Sequence, residues 1–242
     1  MKFFVVPVLT ALIGSAIPGA SAAERLPVAK YVEFFEIVAF GSEYEVGKPK
    51  PYIRKWPGKT IKYKMAGLRK QAEYYRPVIE RHARVLKAFT GVTLKEIPGK
   101  APGEDLIFVF ARRGSMKDAG RLLEKNERVL QIVAQGRCFF LSYDIKGRIV
   151  KGLIAINSEE PRLAVEHCLL EEMAQSMGLP NDSPLVSPSI FNDREQQMSL
   201  TLIDKVLLRT LYDKRMKPGL PFAKAMIAAD KIIKGLMTSA KK

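Results

Sequence analysis

Five consecutive apolar residues, Leu106 to Phe110, constrain the fold of this chain more than any other segment. Gly103 and Gly114 bound the run, and its length is typical of a strand rather than of a helix. A strand without alternating polar residues has no face suited to water. The run therefore predicts a central strand that is buried on both faces of a sheet.

The residues before this strand predict a second strand and a long helix. Apolar and charged residues alternate in 53–56 and 60–64, which indicates a strand pair or one broken strand. Residues 69–89 carry apolar side chains at helical spacing and are followed by Gly91, a typical helix end. His82 lies within this charged helix, and we expect it at the protein surface.

The residues after the central strand predict a hairpin. Residues 116–133 are helical or mixed in pattern. Two apolar segments, 138–143 and 149–157, flank the turn residues 144–147, as in a pair of antiparallel strands joined tightly.

Three helices follow the hairpin. A helix N-terminus is predicted at Ser158, which is followed by acidic residues and Pro161. The helix should run to Met177 and end at Gly178. A capped helix is predicted from Thr201 to Tyr212, and a last helix with a basic side over 221–237.

The amino terminus has the layout of a cleavable signal peptide. Lys2 precedes an apolar run over 3–17, and the small residues Ala20-Ser21-Ala22 follow. The run is shorter than the roughly 20 apolar residues that a bilayer needs, which argues against a membrane anchor. We therefore expect cleavage near Ala22, no transmembrane segment afterwards, and a periplasmic or secreted protein.

Four segments are predicted in total. The signal peptide covers 1–22, an amino-terminal extension and linker 23–51, the main domain 52–220, and a basic helix 221–242. Within the extension, 34–38 is a candidate edge strand.

The chain is strongly basic, with a net charge of +15. Such a charge favours anionic surfaces and polymers, although the lysines and arginines are scattered singly rather than in dense runs. No nucleic-acid-binding motif is present. Cys138 and Cys168 are the only cysteines, and in an oxidising compartment we expect them to form one disulfide between the hairpin and the following helix.

One segment, residues 171–182, carries most of the functional information. Glu171 and Gln175 lie one turn apart on the same helix face, and Gly178 can turn the chain back toward them. Asn181 or Asp182 would then approach from the returning loop. This spacing predicts a pocket lined by oxygen atoms, which suits Ca²⁺, Mg²⁺ or Mn²⁺ better than Zn²⁺.

The spacing resembles the metzincin zinc signature HExxHxxGxxH. Glu171, Gln175 and Asn181 stand at the positions of the three zinc-binding histidines, Glu172 at the general base, and Gly178 at the turn glycine. Together with Ser189-Ile190-Phe191-Asn192-Asp193 and Leu211-Tyr212-Asp213, the segment is similar to an uncharacterised, zincin-like family of exported Gram-negative proteins. The resemblance covers about residues 52–220. It implies an α+β, zincin-like (metzincin-type) fold with a mixed sheet, a motif helix and C-terminal helices.

Three chemistries are consistent with these residues. A rearranged metal site could use His167, Glu171 and Asp182, with zinc or another divalent cation and Glu172 as general base. Glu171, Glu172, Asp182 and Asp193 could instead supply an acid and base pair for glycoside cleavage.

The third hypothesis, which we favour, is a degenerate metallopeptidase homologue. It would bind an extended peptide or a cell-envelope polymer without zinc hydrolysis and without a cofactor, because the spacing of the motif is kept while the ligand types have changed. The alternative is a metal-dependent peptidase with the rearranged site and Glu172 as general base.

Overall fold

The structure is a computed structural model that describes residues 26–41, 51–98 and 102–239. The predicted signal peptide, 1–22, lies outside the described residues, and so do residues 23–25 and 42–50 of the predicted extension and linker. Within those residues, no helix is both long and apolar enough to cross a membrane.

Helices and strands are interspersed along the described residues, and the last three elements are helices. The helices are α1 Val28–Phe40, α2 Arg69–Thr90, α3 Met116–Gly120, α4 Glu127–Val133, α5 Arg162–Gln175, α6 Leu202–Tyr212 and α7 Phe222–Ser239. The strands are β1 Thr60–Gly67, β2 Thr93–Glu96, β3 Leu106–Ala111, β4 Cys138–Ile145 and β5 Arg148–Asn157. A short 3₁₀ turn, Arg113–Ser115, links β3 to α3. The chain therefore has the mixed α+β class that the sequence predicts.

The five strands form one mixed sheet in the order β2-β1-β3-β5-β4. All neighbouring pairs are parallel except β4 and β5, which form the predicted antiparallel hairpin. The apolar run of the sequence is β3, at the centre of the sheet. The antiparallel strand β4 is an edge of the sheet.

Alternate side chains of β3 enter two hydrophobic cores. Phe108 and Phe110 belong to the larger core, which also contains buried residues of α1, α2, α5, α6 and α7. Val109 and Ala111 belong to a smaller core on the opposite face, covered by α3 and α4. Burial on both faces is thus the reason why this strand needs no polar alternation.

The amino-terminal segment corrects one prediction. Residues 34–38 are not an edge strand but part of α1, and they pack in the larger core. Tyr31, Phe34, Phe35 and Val38 are all buried, and their spacing of three and four residues is that of one helix face. α1 packs against α7, so the core includes residues from both sides of the predicted 52–220 domain.

Smaller differences concern element ends and one histidine. Residues 52–56 form only two isolated bridges, through Tyr52 and Lys55, so β1 is the single strand of this region. Helix α5 begins after Pro161 without a side-chain cap from Ser158. His82 is 4 % exposed rather than at the surface, because its side of α2 faces the larger core.

Candidate functional site

Helix α5, the predicted motif helix, is buried along most of its length and leads into a tightly held turn. The Trp56 indole donates a hydrogen bond to the carbonyl oxygen of Ser176 at 2.8 Å, and the Tyr212 hydroxyl donates to the carbonyl oxygen of Met177 at 2.9 Å. Gly178 has a φ of 114°, and a Cβ there would overlap the carbonyl oxygen of Arg54. These contacts require glycine at 178 and fix the direction in which the chain returns.

The returning loop is held by the two amide side chains of the motif. The Gln175 amide donates to a carboxylate oxygen of Asp182 at 2.8 Å. The Asn181 amide donates to the carbonyl oxygens of Ile37, at 3.2 Å, and of Asp182, at 3.0 Å. Asn181 is therefore bound to the end of α1, a contact that the sequence did not reveal.

A cavity of about 300 Å³ lies between α5, the start of β4 and the returning loop. It is lined by Gly136, Arg137, Cys138, Ala164, His167, Cys168, Glu171, Glu172, Asp182 and Asp193. Four of these residues are carboxylic acids, although the chain as a whole is strongly basic. Gln175 and Asn181 are not among the lining residues.

His167 and Glu171 form one wall of the cavity. The two side chains approach to 3.4 Å between His167 Nε2 and a Glu171 carboxylate oxygen. The other ring nitrogen of His167, Nδ1, lies 2.8 Å from the carbonyl oxygen of Gln197, so it carries the proton in the neutral ring. Burial lowers the pKa of His167, which favours that neutral form.

Asp182 and Asp193 line the cavity from the loop that follows α5. Burial raises the pKa of Asp182 to about 6, against the opposing effect of the hydrogen bond from Gln175, and the nearby charge of Asp193 raises it further. The carboxyl group of Asp182 is therefore harder to ionise than one in water.

A hydrogen-bond network positions the loop that carries Asp193. Asp204, in the first turn of α6, accepts hydrogen bonds from Ser189 and from the backbone of Ile190. Asp204 also completes the capping box of α6 with Thr201, as the sequence predicts. Phe191, between these anchors, is fully buried. The loop thus has a fixed attachment on both sides of the residue that reaches the cavity.

The predicted disulfide is present. Cys138, the first residue of β4, is joined to Cys168 of α5, with their Cα atoms 5.9 Å apart. Both half-cystines line the cavity. The disulfide therefore joins two walls of the cavity, the edge strand and the motif helix.

The edge strand presents a row of backbone groups beside this cavity. The backbone N–H of Asn157 donates to the carbonyl oxygen of Arg137, so Arg137 is in a hydrogen-bonded pair. Such pairs alternate along an antiparallel ladder, and the next residues of β4 that bond to β5 are therefore 139, 141 and 143. Cys138, Phe140 and Ser142 direct their N–H and C=O groups away from β5. Among the described residues, none makes a hydrogen bond to these outward groups.

The donor set does not fit a zinc ion. Of the three residues aligned with zinc ligands, only Glu171 lines the cavity. In the described part of the chain, one group of three acidic, His or Cys residues has its ligand atoms within 4.8 Å of one another. It consists of Cys138, Glu171 and Glu172. Cys138 is in the disulfide and offers no thiolate, which leaves fewer than the three protein ligands that a catalytic zinc usually has.

The rearranged set is only partly assembled. His167, Glu171, Glu172 and Asp182 line the same cavity. The ligand atoms of His167, Glu171 and Asp182 are too far apart to form such a group. The sequence did not indicate the contributions of Gly136, Arg137 and the Gln197 carbonyl, because they come from connecting segments without a motif.

Fold and site together define a mixed α+β domain with an acidic cavity beside an antiparallel edge strand. The chain belongs to the family described as "Protein of unknown function (DUF2927)", whose profile matches residues 29–229. This confirms the prediction of an uncharacterised family. A comparison with curated proteins gave no match.

Proposed function

We propose that this protein binds an extended peptide as an additional strand along β4, without zinc-dependent hydrolysis. The cavity beside β4 would receive a side chain of that peptide. In this proposal the protein is a zincin-like, exported member of its family that has kept the groove of a peptidase. The disulfide supports an oxidising compartment such as the periplasm or the cell exterior.

The observation that carries the proposal is the row of outward backbone groups on β4. Unpaired N–H and C=O groups at a sheet edge are a template for another strand, and strand addition is a common mode of peptide recognition. A peptide has the matching donors and acceptors in every residue, which a polysaccharide of the cell envelope does not. We therefore favour a peptide over an envelope polymer.

The position of the cavity supports the same occupant. Cys138, Phe140 and Ser142 have their side chains on the α5 side of the sheet, where the cavity begins. A strand paired with β4 would direct alternate side chains to that side. A groove along an edge strand is also the arrangement that the zincin resemblance implies.

The amide contacts of the motif support binding without hydrolysis. Gln175 and Asn181 use their side-chain amides to hold the returning loop and the end of α1. They are therefore committed to structure at positions where a metallopeptidase of this type places zinc ligands.

The test uses a matched pair of variants in β4. Ser142 directs its N–H outward, so Ser142→Pro removes a donor from the free edge without removing a hydrogen bond to β5. Ser142→Ala retains the N–H and is the control. Binding of positional-scanning mixtures of labelled nonapeptides is measured by fluorescence anisotropy, with mass spectrometry of the peptides afterwards.

We expect binding of intact peptides by the wild type and by Ser142→Ala, and a loss of about tenfold or more in Ser142→Pro, since a lost backbone contact with a new strand costs about 1 kcal/mol and disturbs its neighbours. Equal binding by both variants would remove β4 from the site. Cleaved peptides would favour a hydrolase.

A metal-dependent peptidase is the second candidate. It is favoured by one observation, the presence of His167, Glu171, Glu172 and Asp182 around one cavity. Elemental analysis of tag-free protein, prepared without chelators beside a Glu171→Ala control, separates the two candidates. Near-stoichiometric zinc that is lost in the control, with peptide cleavage abolished in Glu172→Gln, would establish the peptidase.

A further inference from the structure

The parallel strands of the sheet reverse their order at one place, between β1 and β3. From β1 the chain passes through α2 to β2 on one side, and from β3 it passes through α3, α4 and β4 to β5 on the other. The two connections also lie on opposite faces of the sheet, because α2 packs in the larger core whereas α3 and α4 cover the smaller one. In open sheets, ligands bind in the crevice outside the carboxyl ends of the two strands at such a reversal.

A crevice is present at this place. β1 and β3 stay paired as far as Leu68, whose backbone N–H donates to the carbonyl oxygen of Phe110 at 2.8 Å. Beyond that bond the chain continues into α2 on one face and into the 3₁₀ turn and α3 on the other. Their divergence leaves a cavity of about 470 Å³ between the two strand ends and α3. Small-molecule sites usually have roughly 300 to 1,000 Å³, so the cavity is large enough for such a ligand.

Most of the cavity wall is apolar. Ala66, Val109 and Ala111 line it from the strand ends, and Ala119 lines it from α3. Leu122, in the turn after α3, is also part of the lining and is 60 % exposed. An apolar molecule in the cavity would remove this leucine side chain from water, which is favourable. The lining therefore indicates a ligand with an apolar body.

Arg112 gives the cavity an available positive charge. It lines the cavity and is exposed, and within the described part of the chain its guanidinium makes no ion pair or hydrogen bond. The neighbouring Arg113, by contrast, forms an ion pair with Glu160 at 2.9 Å. Asp118, the acidic residue of the lining, is paired with Arg121 at 2.7 Å. The cavity thus combines an apolar wall with one cation that can accept an anionic partner.

We infer that this cavity binds a small apolar carboxylic acid, with its carboxylate on Arg112 and its apolar body between the strand ends and Leu122. The guanidinium fork presents parallel donors that match the two oxygen atoms of a carboxylate. A single guanidinium balances a single charge, which favours a carboxylate over a phosphate group with nearly two charges. The net charge of +15 attracts anions to the protein at long range. Peptide binding at β4 is not required, because β4 contributes no residue to this cavity.

Three ligands separate the two parts of such a site. Octanoate, used below its micelle concentration, has both the carboxylate and the apolar chain, whereas octanol has only the chain and acetate only the carboxylate. Each is titrated into the isotope-labelled protein and followed by NMR. The shifts of the backbone amide signals of Ala66, Ala111 and Ala119 give the dissociation constants and show whether the ligand lies in the cavity.

Two variants and one control locate the contacts. Arg112→Gln removes the guanidinium, and Leu122→Ser removes the exposed apolar wall. Both residues are exposed, so both variants should fold. Arg128→Gln is the control, because Arg128 is an exposed residue of α4 that does not line the cavity. It changes the net charge by the same amount as Arg112→Gln.

We expect octanoate to bind the wild type about tenfold or more tightly than octanol or acetate, a difference of about 1.4 kcal/mol or more. Arg112→Gln should weaken octanoate binding to the level of octanol. Leu122→Ser should weaken the binding of both octanoate and octanol, and Arg128→Gln should bind octanoate as the wild type does.

Three results would overturn the inference. Equal binding of octanoate and octanol would remove the preference for a carboxylate. Octanoate binding that is unchanged in Arg112→Gln, or reduced equally in Arg128→Gln, would remove Arg112 from the site. Octanoate titration without shifts at the amides of the lining residues would remove the cavity itself as the binding site.

Discussion

The Gln175 amide donates a hydrogen bond of 2.8 Å to the carboxylate of Asp182, and this contact links the end of the motif helix to the returning loop. Gln175 occupies the position that resembles the second zinc ligand of a metzincin. In this chain its side-chain amide is hydrogen-bonded to Asp182. The spacing of Gln175 and Asp182 thus positions the returning loop against the motif helix.

Asp182 predicts one part of the pH dependence of stability. Burial raises its folded-state pKa to about 6, above the ordinary value of 3.8, so the folded protein binds the proton more tightly than the unfolded chain. The resulting stabilisation is present below pH 4 and is lost as the pH rises through 6. From pH 4 to 6, this group should lower the free energy of unfolding of the wild type by about 2 to 3 kcal/mol. We expect Asp182→Asn to lack this contribution. Urea denaturation at several pH values measures it, and an unchanged profile would contradict the assignment.

His82 predicts the opposite pH dependence. Burial lowers its pKa from 6.5 to about 4, so the unfolded chain takes up a proton before the folded protein does. Stability from the neutral ring is present above pH 6.5 and falls as the pH drops to 4. We expect His82→Gln to remove about 3 kcal/mol of this acid destabilisation, measured by the same denaturation series.

The two groups oppose each other in the wild type, and the single variants separate them. Between pH 4 and 6, His82→Gln should become less stable as the pH rises, and Asp182→Asn more stable. Parallel profiles for both variants would show that neither histidine nor aspartate titrates as the structure indicates.

Gly178 predicts a large cost for a single methyl group. Its backbone has a φ of 114°, and a Cβ would overlap the carbonyl oxygen of Arg54. We expect Gly178→Ala to lower the free energy of unfolding by about 3 kcal/mol or more. Gly91 is the matched control, because it has a φ of 71° with no atom within 4 Å of a Cβ. Gly91→Ala should cost only about 1 to 2 kcal/mol, and an equal loss in both would exclude the overlap as the cause.

The disulfide predicts a loss of stability on removal. Cys138 and Cys168 are separated by 30 residues in sequence, and closing a loop of this length restricts the unfolded chain. We expect the double variant Cys138→Ala, Cys168→Ala to lose about 3 to 4 kcal/mol in urea denaturation. Wild-type protein measured in a reducing agent should show a similar loss, and an unaffected midpoint would mean that the linkage is not formed in solution.

Local patterns predict those parts of the fold that depend only on residues close together in the sequence. The apolar run of β3, the hairpin, helix α2 and the Thr201–Asp204 capping box are all visible within a few residues. The disulfide is predictable because Cys138 and Cys168 have no other partner in the chain. The glycine turn at 178 follows from the helix pattern before it.

The features that the sequence did not reveal depend on distant contacts. Residues 34–38 suit either a strand or a helix, and only packing of α1 against α7 selects the helix. His82 has charged neighbours that suggest a surface position, yet its own helix face is covered by the core. Asn181 suits a metal-ligand position by spacing, but its partner is Ile37, which is 144 residues away.

Amide hydrogen exchange measured by NMR reveals whether β4 is the edge at which the peptide binds. The outward amides of Cys138, Phe140 and Ser142 are compared with the inward amides of Phe139 and Leu141, before and after addition of the best nonapeptide. We expect exchange at the outward amides to slow about tenfold or more on binding, because they gain backbone partners, while exchange at the inward amides changes little. Peptide binding that leaves the exchange of the outward amides unchanged would contradict it.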